Sequence, residues 1–182
     1  FFLVDPLDGT KEFLARNGEF TVNIALIVGE KPIAGVVYAP AFARLFGGDA
    51  AGALELHWPP AETAVALPGL SAAQPIQARP EAPHPIALWS RTHDLHRADE
   101  YRDLYRVSAA RVLGSSLKFC LLAAGEADLY PRHGPTMEWD TAAGQAVLEA
   151  AGGRVHDLQG RPLRYGKMRD GFRNPSFVAR GR

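Results

Sequence analysis

The chain has a single cysteine, Cys120, among 182 residues, so no internal disulfide framework holds it and a reducing compartment suits it. It also lacks net charge, with 20 basic residues against 20 acidic ones. No global field draws such a chain to nucleic acid or to an anionic membrane, so recognition of a charged ligand must be local. No window holds the roughly 18 consecutive apolar residues of a membrane span. Neither a basic stripe nor an RNP-like aromatic pattern is present, which argues against a nucleic-acid partner. His84, His96, His133 and His156 show no metal-ligand spacing among themselves. A secretory signal would begin with basic residues and continue into an apolar run. The chain instead opens Phe1-Phe2-Leu3-Val4-Asp5, which reads as the middle of a buried strand. The expectation is a C-terminal piece of a longer protein.

What is present suffices for a core, with 47% hydrophobic residues. Residues 1–4 form an apolar run that Asp5-Pro6 ends. Residues 20–29 are rich in β-branched side chains; a turn at Glu30-Lys31-Pro32 leads to a second strand over 33–38, a hairpin signal. Short strands are expected over 43–47 and 53–57. Residues 58–85 carry seven of the fourteen prolines and read as an irregular connection between two lobes, 1–57 and 86–182. Beyond it, strands over 86–89, 106–112, 127–130, 154–157 and 176–179 alternate with helices over 95–105, 116–124 and 140–151. Ser115 or Ser116 is placed to cap the second helix, with glycines to stop the last two. Hairpins followed by alternating strands and helices argue for a layered α/β or α+β fold.

The most informative stretch is Asp5-Pro6-Leu7-Asp8-Gly9-Thr10. It sets two carboxylates three residues apart at the end of an apolar strand. Pro6 fixes its own φ and biases Asp5 toward an extended shape, and Gly9 permits a turn. Mg²⁺ prefers oxygen ligands, usually one or two carboxylates completed by water and phosphate. An Asx-type turn would use the same residue types.

The whole string resembles the first metal motif of the inositol monophosphatase superfamily, and Trp139-Asp140-Thr141-Ala142-Ala143-Gly144 resembles the second. Their order and separation are similar to the family's. The resemblance implies an α+β, layered α/β/α/β sandwich, incomplete at the N-terminus, and a Mg²⁺-dependent, lithium-sensitive phosphatase with two or three ions. It implies that Asp5 bridges two ions, that the Leu7 carbonyl binds the first, and that Asp8 and Asp140 bind the second. Thr10 would orient the attacking water, and the Gly9 and Thr10 amides would hold the phosphate. Read without the family, Asp140 is a helix N-cap.

Further segments resemble the CysQ-type bisphosphate nucleotidase branch. They are Lys11-Glu12-Phe13, where the inositol phosphatases more often have Asn before Phe, then Gly114 to Cys120, and Asp128 to Arg132. The resemblance implies that Ser115, Lys118 and Arg132 contact the nucleotide or its second phosphate, with His93 nearby. Taken singly, Lys118 reads as a solvated helix lysine and Arg132 as a loop arginine. Cys120 reads as a core residue, and Glu12 and Glu138 as carboxylates that lie behind the metal ligands or on the surface. The implied reaction is hydrolysis of the 3′-phosphate of adenosine 3′,5′-bisphosphate by metal-activated water, in the cytoplasm or at the periphery of a bacterial inner membrane. The alternatives are an inositol or sugar-bisphosphate phosphatase of the same fold, or an inactive fragment, because the family's upstream glutamate has no counterpart here.

Overall fold

A computed structural model describes residues 1–60, 69–91 and 98–182. Six strands form an antiparallel sheet in sequence order: β1 (Phe2–Asp8), β2 (Thr21–Val28), β3 (Lys31–Ala39), β4 (Arg44–Asp49), β5 (Gly52–His57) and β6 (Gln74–Ile76). A short helix, α1 (Thr10–Leu14), separates the first two. The β2–β3 turn is Gly29-Glu30, one residue earlier than expected. Both residues have positive φ, 55° and 65°, as a two-residue hairpin requires. Pro32 therefore lies inside β3, where a register shift between Leu26 and Ile27 accommodates it. β6 falls within the stretch read as an irregular connection.

The second half contributes β7 (Ile86–Ser90), α2 (Ala98–Leu104), β8 (Ala109–Leu113), α3 (Leu117–Ala123), β9 (Leu129–Arg132), β10 (Thr136–Met137), α4 (Glu138–Ala150), β11 (Arg154–Asp157), β12 (Arg173–Asn174) and β13 (Phe177–Arg180). Five of these strands build a mixed sheet in the order β11-β13-β9-β7-β8, with β7 parallel to both β8 and β9. β10 and β12 pair by themselves.

Strand alternation explains the layers. In β7, Leu88 joins the main core, while Ala87 and Trp89 face the other way and pack with Tyr101 of α2. α3 and α4 lie between the sheets, and one continuous core joins Val37 and Phe46 of the first sheet to Leu148 of α4 and Phe177 of the second. Counted from α2, the layers run helix, sheet, helix, sheet.

Close approach of α4 to the first sheet depends on missing side chains. A Cβ at Gly35 would stand 2.5 Å from the Ala143 carbonyl oxygen, and one at Gly48 would stand 2.6 Å from the Val147 Cα. The opposite face of that sheet leaves Phe2, Val4, Ile24 and Val36 exposed.

Candidate active site

The end of β1 decides the site. In a regular strand, residues three apart point to opposite faces. Here Asp5 pairs with Asn23 and Asp8 with Thr21, so three steps on β1 oppose two on β2. The extra residue is a bulge at Pro6-Leu7, where proline has no N–H for the ladder. The bulge turns Asp5 and Asp8 toward one side. The Leu7 amide, freed from pairing, donates to Asp5 Oδ1 at 3.0 Å.

Asp140 comes from the first turn of α4. It is not the cap residue itself; Met137 holds that position, and the Asp140 carboxylate accepts the Met137 amide at 2.7 Å. Asp5, Asp8 and Asp140 each offer a carboxylate oxygen, and the three oxygens lie within 4.8 Å of one another.

Burial raises the pKa of all three, and the other carboxylates add to the rise at Asp8 and Asp140; Asp140 reaches about 6. Asp8 has the best internal support. Its Oδ2 accepts from the Ser116 amide at 2.5 Å and from Thr21 Oγ1 and Asn23 Nδ2 at 3.3 Å each. Asp5 and Asp140 accept one backbone amide each. Three crowded carboxylates with so few donors form an oxygen-only set that a hard divalent cation would neutralise.

A cleft of about 230 Å³ opens beside this cluster, lined by Asp8, Gly9, Thr10, Asp140 and residues of α3 and β9. Gly9 sits at φ 84°, ψ 45°, a left-handed turn that sends the chain into α1. Thr10 Oγ1 donates to the Leu7 carbonyl at 3.3 Å, the carbonyl that the resemblance assigns to a metal. Ser115 also lies at positive φ, 48°, and its carbonyl accepts Lys118 Nζ at 2.7 Å.

Lys118 is buried rather than solvated, with Nζ also donating to the Leu113 carbonyl at 3.2 Å and lying 4.9 Å from the Tyr130 ring centroid. Burial lowers its pKa to about 8, against the opposing pull of Asp8. Arg132 is buried too, not a loop arginine. It ends β9, and its Nη2 donates to the Pro135 carbonyl at 3.0 Å. The structure thus brings Gly9, Thr10, Ser115, Lys118, Arg132 and Asp140 to one cleft. His93 lies outside the described residues. Cys120 is fully buried, and burial pushes its thiol well up, as a core residue requires.

Sequence reasoning missed several supports. Thr21 and Asn23, 0% and 1% exposed, hold Asp8. Their signal was available: two polar residues on the inward-facing positions of an otherwise apolar strand. Glu138, expected either behind the metal ligands or on the surface, is fully buried. It accepts the Gly166 and Lys167 amides at 2.7 and 2.8 Å and pairs with the Lys167 ammonium at 2.8 Å. Tyr130 and Thr136 also line the cleft.

The sequence profile described as the inositol monophosphatase family matches residues 1–176. The chain is 49% identical over 177 residues to the 3′(2′),5′-bisphosphate nucleotidase CysQ of Escherichia coli K12, a match covering 97% of this chain and 66% of that protein. The crystal structure of CysQ from Bacteroides thetaiotaomicron superposes with a TM-score of 0.84 at 39% identity, covering all of this chain and 69% of that one. An inositol monophosphatase from Anabaena gives 0.74 at 26% identity, covering 99% of this chain and 66% of that one. The chain therefore spans about two thirds of the length of each of these relatives. With both aspartate motifs converging at one cleft and the family profile running through nearly the whole sequence, the chain belongs to the inositol monophosphatase family.

Proposed function

We propose that the protein containing this chain is a Mg²⁺-dependent phosphomonoesterase that removes the 3′-phosphate of adenosine 3′,5′-bisphosphate, leaving AMP and phosphate. The observation that carries this reading is the convergence of three carboxylates, Asp5, Asp8 and Asp140, at a cleft that is also lined by two buried cations, Lys118 and Arg132. One anion would be met by a cation held between the aspartates, and a second anion by Lys118 and Arg132. A substrate with two phosphates suits this pairing of groups.

Asp5, the Leu7 carbonyl, Asp8 and Asp140 would hold Mg²⁺. When bound, the ion supplies charge neutralisation at the phosphoryl group and acidifies water. The chain's own groups do the positioning. The Thr10 hydroxyl orients the attacking water for in-line displacement, while the Gly9 and Thr10 amides face the transferred phosphoryl oxygens. Asp5 shapes the metal-side wall, and Ser115, Lys118 and Arg132 take the remainder of the nucleotide, with His93 close by. In this reading residues 1–57 form the metal-binding lobe, 58–85 the connection, and 86–182 the nucleotide-contacting lobe. Charge balance, a lone buried cysteine and a small-molecule substrate fit a cytoplasmic enzyme with no nucleic-acid partner. No helix among the described residues is long and apolar enough to cross a membrane.

The likeness in Lys11-Glu12-Phe13 and the 49% identity to a nucleotidase favour this substrate over an inositol phosphate. The test compares phosphate release from adenosine 3′,5′-bisphosphate and from inositol 1-phosphate. It is run on this chain and on the chain fused behind the third of the Escherichia coli relative that it does not match. Preference for the nucleotide supports the proposal, and preference for the inositol ester overturns it.

A further inference from the structure

Among the described residues, buried carboxylates are heavily partnered, with one exception. Glu19 accepts the Gly114 amide at 2.8 Å and both arms of the Arg91 guanidinium at 3.1 and 2.6 Å. Asp128 accepts the Ile86 amide at 2.6 Å and two nitrogens of Arg79. Glu138 accepts two amides and an ammonium. Glu12 is 6% exposed, and among the described residues its carboxylate accepts no hydrogen bond at all. Its interactions are electrostatic only, with the charges of Lys118 and Arg91. The stem of the side chain is packed away, but its oxygens are not sealed from solvent and open onto the cleft, so a partner for them would come from a bound ligand rather than from the protein.

The seat of Glu12 is built. It lines the same cleft as Lys118 and Asp140. A glycine flanks it on each side. A Cβ at Gly114 would stand 2.3 Å from Glu12 Cγ and 2.7 Å from its Cδ, and one at Gly9 would stand 3.4 Å from Oε2. Any side chain at 114 would displace the carboxylate. The chain thus makes room for an acceptor to which none of the described residues donates, on the wall of a cleft that also holds Lys118 and Arg132.

We propose that Glu12 is a ligand-binding, specificity-determining residue. Its carboxylate accepts a hydrogen bond from a neutral donor, a hydroxyl or an amino group, on the part of the ligand remote from the reacting phosphate. This rests on reading the cleft as a phosphoester site. A phosphate placed against Glu12 would be repelled, so the residue also rejects ligands with an anion in that place. The donor is a ribose hydroxyl or the amine of a base, the same chemistry from two parts of one nucleotide.

The test is calorimetry on the full chain with Mg²⁺ present, using AMP, which the proposed reaction does not consume, and sulfate, which has no donor. Glu12→Ala weakens AMP binding by about 10- to 100-fold, the span of a hydrogen bond to a charged group, and Glu12→Gln weakens it less. Sulfate affinity stays within about twofold or rises as the carboxylate is removed. The thermal midpoint of Glu12→Gln, which keeps the volume of the side chain, stays near that of the wild type, because no internal hydrogen bond is lost. Repeating the comparison with 2′-deoxy-AMP and inosine 5′-monophosphate assigns the donor, since the Glu12→Ala loss shrinks for the analogue lacking it. An unchanged AMP affinity, or equal loss for AMP and sulfate with a lowered midpoint, overturns the proposal and makes Glu12 structural. If wild type holds sulfate but not AMP, the nucleotidase reading fails, and inositol 1-phosphate replaces AMP in the same comparison, its KM separating the variants. If none of the three binds, both readings fall.

Discussion

Replacing Asp140 by Asn should stabilise the metal-free protein at neutral pH while removing its response to Mg²⁺. Asp140 crowds Asp5 and Asp8, and burial plus their charges raises its pKa from 3.8 to about 6. The folded state therefore holds this proton more tightly than the unfolded chain. The group's contribution is most favourable below pH 3.8, is lost as pH rises toward about 6, and stays lost above it. A rise of about two units corresponds to about 3 kcal/mol, which solvent screening at a partly exposed group reduces to about 1–2 kcal/mol. Asn keeps an oxygen for the Met137 amide and carries no charge. Urea denaturation in chelator, from pH 4 to 8, should show variant and wild type together at the acid end. Above pH 6 the variant should be about 1–2 kcal/mol more stable. Adding Mg²⁺ should reverse the order, because only the wild type gains a ligand. A variant less stable than wild type at pH 7 without metal, or equal stabilisation of both by Mg²⁺, would refute the reasoning.

Mg²⁺ affinity of the wild type should fall as pH drops below about 6, where protons compete at Asp140; titration calorimetry at pH 5 and 7.5 checks the direction. Gly48→Ala should cost about 1–3 kcal/mol, because its Cβ would meet the Val147 Cα at 2.6 Å, and thermal denaturation reads this. Phe119→Ala should cost about 3–5 kcal/mol, since the ring is 1% exposed and stacks on Phe177 and edge-on to Tyr130. Glu138→Ala should cost about 1–3 kcal/mol by removing the acceptor of the Gly166 and Lys167 amides and the ion-pair partner of the Lys167 ammonium, measured by urea unfolding.

Most strands and helices were legible from their composition and from the turn residues that bound them. The β-branched run over 20–29 marks β2, and the alanine-rich stretch ending at Gly152-Gly153 marks α4. β6, β10 and β12 were not, since strands of two or three residues carry no period. The hairpin turn was misplaced by weighting Pro32 as a turn residue, when the register shift beside it lets a strand absorb it. At the site, the two aspartate motifs were legible, but their geometry was not. Spacing by three predicts opposite faces, and only the bulge at Pro6-Leu7 brings Asp5 and Asp8 together. Lys118 and Arg132 looked like surface cations because their burial comes from the packing of α3 against β9 and α4, which no local pattern records. Glu12 could not be separated from a surface carboxylate without knowing that Gly9 and Gly114 enclose it.

The most direct test of the account is phosphate release from adenosine 3′,5′-bisphosphate, with and without Mg²⁺, set beside the Asp5→Asn and Asp140→Asn variants. Release that requires Mg²⁺ and drops by orders of magnitude in both variants is the predicted result. Release that persists in chelator, or that survives loss of either aspartate, would contradict the claim that these carboxylates form the catalytic centre.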